Sequence, residues 1–176
     1  MSIMKLPKSK VLISEQRIRR RVVELGRRIS TDYKDKDLTI IFISTGAVVF
    51  ASDLIRNISL PMKLDSISAS SYRRLESSGK VNMDARLKID IKGRNVLLVD
   101  DILDSGRTLG ITRGYLKRKK PADIRICVLL DKASKRSFPI TPDYSGFSIP
   151  DVFVYGYGLD YDGYYRNLPF VGFKKN

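Results

Sequence analysis

The stretch "NVLLVDDILDSGRTL", residues 95–109, decides the fold of this chain. Its apolar run leads straight into two adjacent carboxylates, Asp100 and Asp101. Asp104 follows, and then Ser105, Gly106, Arg107 and Thr108. A short continuous apolar run bounded by turn residues reads as a strand buried on both faces. The strand is expected to end at Asp100, and "TLGITRGYLKRKK" to begin a helix near Thr108. The loop between them then faces a helix N-terminus, where free N–H groups and the macrodipole favour a phosphate. Gly106 permits a positive φ and close approach, and the Ser105 and Thr108 hydroxyls add donors. The GxxxxGK[ST] pattern of a Walker loop is absent.

Carboxylates beside a phosphate cradle repel a bare phosphate, so the ligand should also carry hydroxyls or a cation. Asp100 and Asp101 can accept hydrogen bonds from two neighbouring ribose hydroxyls. They can also stabilise positive charge developing on a sugar ring. Asp104 is placed to act as a general base. Together these residues describe a site for a ribose 5-phosphate with a reacting anomeric carbon.

Outward from this stretch, further strands are read at "LTIIFIS", "MKLDSISASSY", "IRICVLLD" and "VFVYGYG". Residues 85–91, "ARLKIDI", alternate strictly and read as a half-exposed strand. Residues 14–31 read as a helix with Ser14 as N-cap and Ile18, Val22, Leu25 and Ile29 on one face. A second helix follows "STG", with Val48, Ala51 and Ile55 on one face. Buried strands alternating with helices predict an α/β fold with a parallel sheet covered on both faces. Ligands in such folds bind beyond the carboxyl ends of the strands, which here are 44–46, the Asp100–Thr108 region and 131–132.

The 176 residues suggest a single domain, 1–176. With 43% hydrophobic and 30% charged residues, the composition is that of a soluble protein. The longest apolar runs are too short to span a bilayer, and "MSIMKLPKSK" has no apolar signal core. A cytoplasmic location and no membrane partner are expected. The chain has no histidine, and its one cysteine, Cys127, lies in an apolar run. Zinc and histidine chemistry are thereby nearly excluded, while Mg²⁺ on carboxylate oxygens remains open. The net charge is +14, and 11 of the 33 basic residues fall in the first 36 positions. Solvated helix faces account for this, and attraction of polyanions is the sharper alternative.

The stretch resembles the phosphoribosyl-pyrophosphate motif of type I phosphoribosyltransferases: apolar strand, two acidic residues, then D-[ST]-G-x-T. The resemblance runs roughly from Leu38 to Gly172 and narrows to the hypoxanthine–guanine phosphoribosyltransferases. Further matches are "SSY" (70–72), "LLDK" (129–132), "FSIPDVFVYGYGLDY" (147–161) and "YRNLP" (165–169). It implies the type I fold: a central mostly parallel sheet flanked by helices, a small base-binding hood over about 145–176, and a mobile flap. The flap would cover about 73–84, with Ser71 and Tyr72 at its root.

The resemblance also implies residue roles. Asp104 would take a proton from the purine, Asp100 and Asp101 would hold the ribose, and Ser105, Gly106, Arg107 and Thr108 the 5′-phosphate. Thr45, Gly46 and Arg166 would contact pyrophosphate, with a non-proline cis peptide near Ser44–Thr45. Relatives often carry Lys, Arg or Asn where this chain has Thr45. Lys132 would donate to O6 of the base, Phe153 would stack on it, Val154 would offer a backbone carbonyl, and Asp160 would lie near the base. Asp160, Asp100 and Asp101 would be the residues near Mg²⁺. The implied reaction is transfer from phosphoribosyl pyrophosphate to N9 of hypoxanthine or guanine, by a homo-dimer or tetramer. The alternative is a regulator of the same fold that senses phosphoribosyl pyrophosphate and binds nucleic acid. Lys132, Phe153 and Asp160 together weigh against it, so nucleic acid is not the expected partner.

Overall fold

A computed structural model describes residues 10–68 and 87–174. In chain order the elements are β1 (Lys10–Ile13), α1 (Glu15–Asp32), β2 (Leu38–Ser44), α2 (Val48–Ile55) and β3 (Met62–Ser68). Then come β4 (Asn95–Leu103), α3 (Arg107–Lys117), β5 (Asp123–Asp131), β6 (Tyr144–Ser148), β7 (Phe153–Tyr155) and β8 (Val171–Lys174). Five strands pair in parallel in the order β3-β2-β4-β5-β6, and β1-β8-β7 form a separate three-stranded sheet.

Successive side chains of a strand face opposite ways, and here each way meets helices. Ile40, Leu97, Val99, Cys127 and Leu129 pack with Ile18, Val22, Leu25 and Ile29 of α1 and with Phe50 and Leu54 of α2. Ile41, Ile43, Leu98, Ile126 and Val128 pack instead with Leu109 and Leu116 of α3. The Ser14 side chain accepts from the Arg17 N–H and caps α1 as expected. Cys127 is fully buried, and burial pushes its thiol above the ordinary range. Among the described residues, no helix is long and apolar enough to cross a membrane.

Three expectations are corrected, and strands are added that the reading above does not contain. The strand through the opening stretch does not end at Asp100 but runs on to Leu103, paired to β5 as far as Asp131. Asp101 therefore sits on the strand with Asp100 rather than in the loop, and α3 begins at Arg107. The buried side of α2 is Phe50, Ala51 and Leu54, while Val48 is 42% exposed. Both stripes have helical period, and the larger Phe50 and Leu54 claim the core. In the described part of 85–91 there is no strand. Leu87 and Ile89 do turn inward and Lys88 and Asp90 outward, but the Lys88 and Ile89 N–H groups donate to the Asp65 carboxylate of β3 at 2.6 and 3.1 Å. A side-chain acceptor replaces the ladder. Finally, residues 144–148 form the fifth parallel strand, and β1 pairs with β8, so the small sheet draws on both ends of the chain. The strands β1, β6 and β8 have only four, five and four residues, and Gly146 and Gly172 interrupt their patterns.

Candidate active site

The carboxyl ends of β2, β3 and β4 open onto a cavity of about 480 Å³, within the range of small-ligand sites. Asp100, Asp101, Asp104, Ser105, Gly106 and Thr108 line one wall. Thr45, Gly46, Asp160 and Arg166 line the other. Arg107 is exposed and is not in the lining. Ser44 and Ser68 also face the cavity, although sequence reasoning had not singled them out. Their position as hydroxyls at the ends of parallel strands was the available signal. Ser71, Tyr72 and the expected flap at 73–84 lie outside the described residues.

Gly106 adopts φ +85° as the residue before α3, a left-handed conformation that favours glycine. The Ser44–Thr45 peptide is cis, and Thr45 is exposed beside Gly46. A Cβ on Gly46 would sit 2.0 Å from Asp101 Oδ2. Gly158, at φ +98°, presses on Gly46 in turn: a Cβ there would meet the Gly46 carbonyl oxygen at 2.3 Å. Two glycines thus let the 157–166 loop, the 44–46 turn and Asp101 stack in contact. Gly158 was not singled out from sequence, though "YGYG" carries the signal.

Asp100 is 7% exposed. Burial, and then the neighbouring Asp101 charge, push its carboxyl well above the usual carboxylate range. Asp101 is raised by burial too, against its backbone hydrogen bonds and the nearby Arg166 charge. Such a pair asks for a cation or for hydroxyl donors. Arg166 donates to the Gly158 carbonyl and pairs with Asp160, both at 2.6 Å, and the Gly163 N–H donates to Asp160 at 2.9 Å. The guanidinium is thereby fixed at the cavity wall.

Lys132 follows β5, is 7% exposed, and lies 3.9 Å from Asp104 Oδ2. The other oxygen, Asp104 Oδ1, is buried without a partner among the described residues. A buried acceptor left open is costly and suits an incoming N–H donor. Phe153 and Val154 do not line the cavity. Phe153 is 46% exposed, with its ring edge-on to Tyr161 at 5.5 Å, and Val154 is buried in β7.

The raised Asp100 carboxyl has a consequence for stability. Its folded form keeps a proton that the unfolded chain has already released. The ligand-free protein therefore loses stability as pH rises from the ordinary carboxylate range through the raised value. Asp100→Asn removes this loss, and each ~1 kcal/mol regained raises Tm by about 2–4 °C. Thermal melts of both proteins across pH check it; a variant that melts lower near neutral pH refutes the account.

A paired-carboxylate strand end followed by an anion loop at a helix start defines a protein that handles phosphorylated ribose. Residues 12–162 match the phosphoribosyl transferase domain family. The hypoxanthine phosphoribosyltransferase of Salmonella typhimurium is 42% identical over 165 residues, covering 92% of this chain and 93% of that protein. The hypoxanthine-guanine phosphoribosyltransferase of Bacillus subtilis is 41% identical over 174 residues, covering 98% and 97%. A crystal structure of a hypoxanthine-guanine phosphoribosyltransferase from Bacillus anthracis superposes with a TM-score of 0.85 at 41% identity, covering 93% of this chain and 95% of that one. The chain belongs to the hypoxanthine–guanine phosphoribosyltransferase family.

Proposed function

We propose that the protein is a purine-salvage enzyme that transfers the 5-phosphoribosyl group of phosphoribosyl pyrophosphate to N9 of hypoxanthine or guanine. IMP or GMP and pyrophosphate are released. The observation that carries this reading is the open oxygen of Asp104, in one cavity with the Asp100–Asp101 pair and the loop before α3.

The N–H groups and hydroxyls of Ser105, Gly106 and Thr108 bind the 5′-phosphate. Asp100 and Asp101 accept from the ribose hydroxyls and stabilise the cation-like sugar carbon as its bond to pyrophosphate breaks. The N9 lone pair forms the new bond, the leaving pyrophosphate takes the electron pair, and Asp104 receives the N7 proton. Arg166 and the Thr45–Gly46 backbone receive pyrophosphate. Lys132, a donor only, selects a 6-oxo group over a 6-amino group, while Phe153 and the Val154 carbonyl, which lie outside the cavity's lining, are assigned to the base by the family resemblance alone.

Asp100, Asp101 and Asp160 are the carboxylates that would face Mg²⁺, although among the described residues no three acidic side chains are grouped closely enough to hold a metal ion by themselves. They line one cavity, burial disfavours the charged Asp100–Asp101 pair, and a hard cation takes carboxylate oxygens with substrate phosphates supplying the rest. When bound, Mg²⁺ neutralises charge on pyrophosphate and helps it leave.

A homo-dimer or tetramer in the cytoplasm fits the soluble composition and the resemblance to this family. The test is a Mg²⁺-dependent assay with phosphoribosyl pyrophosphate and each of hypoxanthine, guanine, xanthine and adenine. Turnover of hypoxanthine and guanine, none with adenine, and arrest by a chelator are expected. Turnover of adenine, or of no base, overturns the reading.

A further inference from the structure

Arg136 follows β5 by five residues and belongs to none of the contacts above. Its side chain is only 16% exposed. The guanidinium reaches three separate segments. Nε donates to the Asp104 carbonyl at 3.1 Å, and Nη2 reaches the Leu103 carbonyl at 3.5 Å. Nη2 also pairs with the Asp131 carboxylate, and Nη1 donates to the Ile140 carbonyl. The backbone on either side of Arg136 continues the pattern. Lys132 N–H donates to the Leu103 carbonyl at 3.0 Å, and the Ser137 and Phe138 N–H groups donate to the Ser105 carbonyl at 3.1 and 3.0 Å. Three consecutive carbonyls, those of Leu103, Asp104 and Ser105, are thus held by one segment, 132–138.

In a trans peptide the C=O and the following N–H point in opposite directions, and the only cis peptide among the described residues is Ser44–Thr45. Holding these carbonyls on one side aims the N–H groups of Asp104, Ser105 and Gly106 to the other. Among the described residues those N–H groups have no protein acceptor. The segment also closes over Gly106: a Cβ there would meet Ile140 Cγ2 at 2.6 Å and Arg136 Cδ at 3.0 Å.

We propose that Arg136, steadied by Asp131, is a positioning residue: by clamping the carbonyls of Leu103 and Asp104 it aims the phosphate-loop N–H groups and sets the place of the Asp104 carboxylate. It touches no substrate itself. A guanidinium suits this task because its donors are fixed in one plane and reach several acceptors at once. A lysine has a single nitrogen and would satisfy fewer of them.

The inference rests on the transferase reading, and its test separates the two. Arg136→Met keeps an unbranched apolar stem and removes every donor. Binding of phosphoribosyl pyrophosphate with Mg²⁺, measured by calorimetry without base, should weaken by roughly tenfold to hundredfold. In steady state its KM should rise and kcat fall, while the KM for the base stays unchanged. Arg136→Lys should recover part of the binding. Asp131→Asn, a milder change that serves if Arg136→Met does not fold, should show the same KM split to a smaller degree. Equal losses for both substrates overturn the inference, as does a lower Tm with unchanged phosphoribosyl pyrophosphate affinity. A wild-type protein that binds no phosphoribosyl pyrophosphate overturns the transferase reading instead.

Discussion

Asp104→Asn should lower kcat with hypoxanthine and guanine by on the order of 10²–10⁴-fold, the span ascribed to a positioned general base. The substitution preserves shape, and among the described residues Asp104 Oδ1 has no partner to lose. Folding should be nearly unaffected, because the backbone at Asp104 is held through its carbonyl rather than its side chain. The KM for phosphoribosyl pyrophosphate should change little, since the phosphate loop and the Asp100–Asp101 pair remain. What is lost is the proposed acceptor for the purine proton, and the amide put in its place cannot take a proton near neutral pH. Lys132, 3.9 Å from Oδ2 in the parent, also loses its nearest negative charge. A small additional weakening of base binding is therefore expected. Steady-state kinetics with saturating phosphoribosyl pyrophosphate decide the matter. A variant retaining more than a tenth of parent kcat would remove Asp104 from the proton transfer.

Gly46→Ala should be nearly as damaging, by a different route. One added methyl carbon would stand 2.0 Å from Asp101 Oδ2 and 2.8 Å from its Cγ. No contact of that length is tolerated, so either the Asp101 side chain or the 44–46 turn must move. The turn cannot retreat freely, because the Gly46 carbonyl already meets Gly158. The Asp101 carboxylate, proposed to hold the ribose, and the 44–46 turn, proposed to receive pyrophosphate, are then displaced by the order of an ångström, which costs about 10²-fold in rate. The loss should fall on kcat/KM for phosphoribosyl pyrophosphate, while the base KM remains near its parent value. Asp101→Ala in the Gly46→Ala background offers a check: with the clash removed, the double variant should fall no further than Asp101→Ala alone. Additive losses would mean that Gly46 acts without reference to Asp101.

The large sheet was readable from residues 38–44, 95–99 and 124–131 because strands covered on both faces read as nearly continuous apolar runs. That signal needs no knowledge of neighbours. The helix over 15–32 was readable for a similar reason, since its buried stripe of Ile18, Val22, Leu25 and Ile29 has no competitor on the other faces. The short strands of the small sheet carried no such signal. Each buries little by itself, and β1 is a strand because β8 lies beside it. Residues 87–91 failed for the converse reason: the alternation was present, but the Asp65 carboxylate captured the N–H groups a ladder would have used.

The candidate site divides in the same way. The sequence by itself determined the order of chemical groups along one strand-to-helix connection. Asp100, Asp101, Asp104 and the loop through Thr108 are neighbours in the chain, so covalent geometry alone brings them together. Tertiary structure alone decided what approaches that connection from elsewhere. Gly46 and Gly158 admit the Asp101 carboxylate into a stack of backbone. Lys132 comes within reach of Asp104 because β5 pairs beside β4. Arg136 takes hold of carbonyls 32 and 33 residues away. These contacts depend on strand order and on the shape left between packed elements, and such long-range pairings leave no periodicity in the residues that make them.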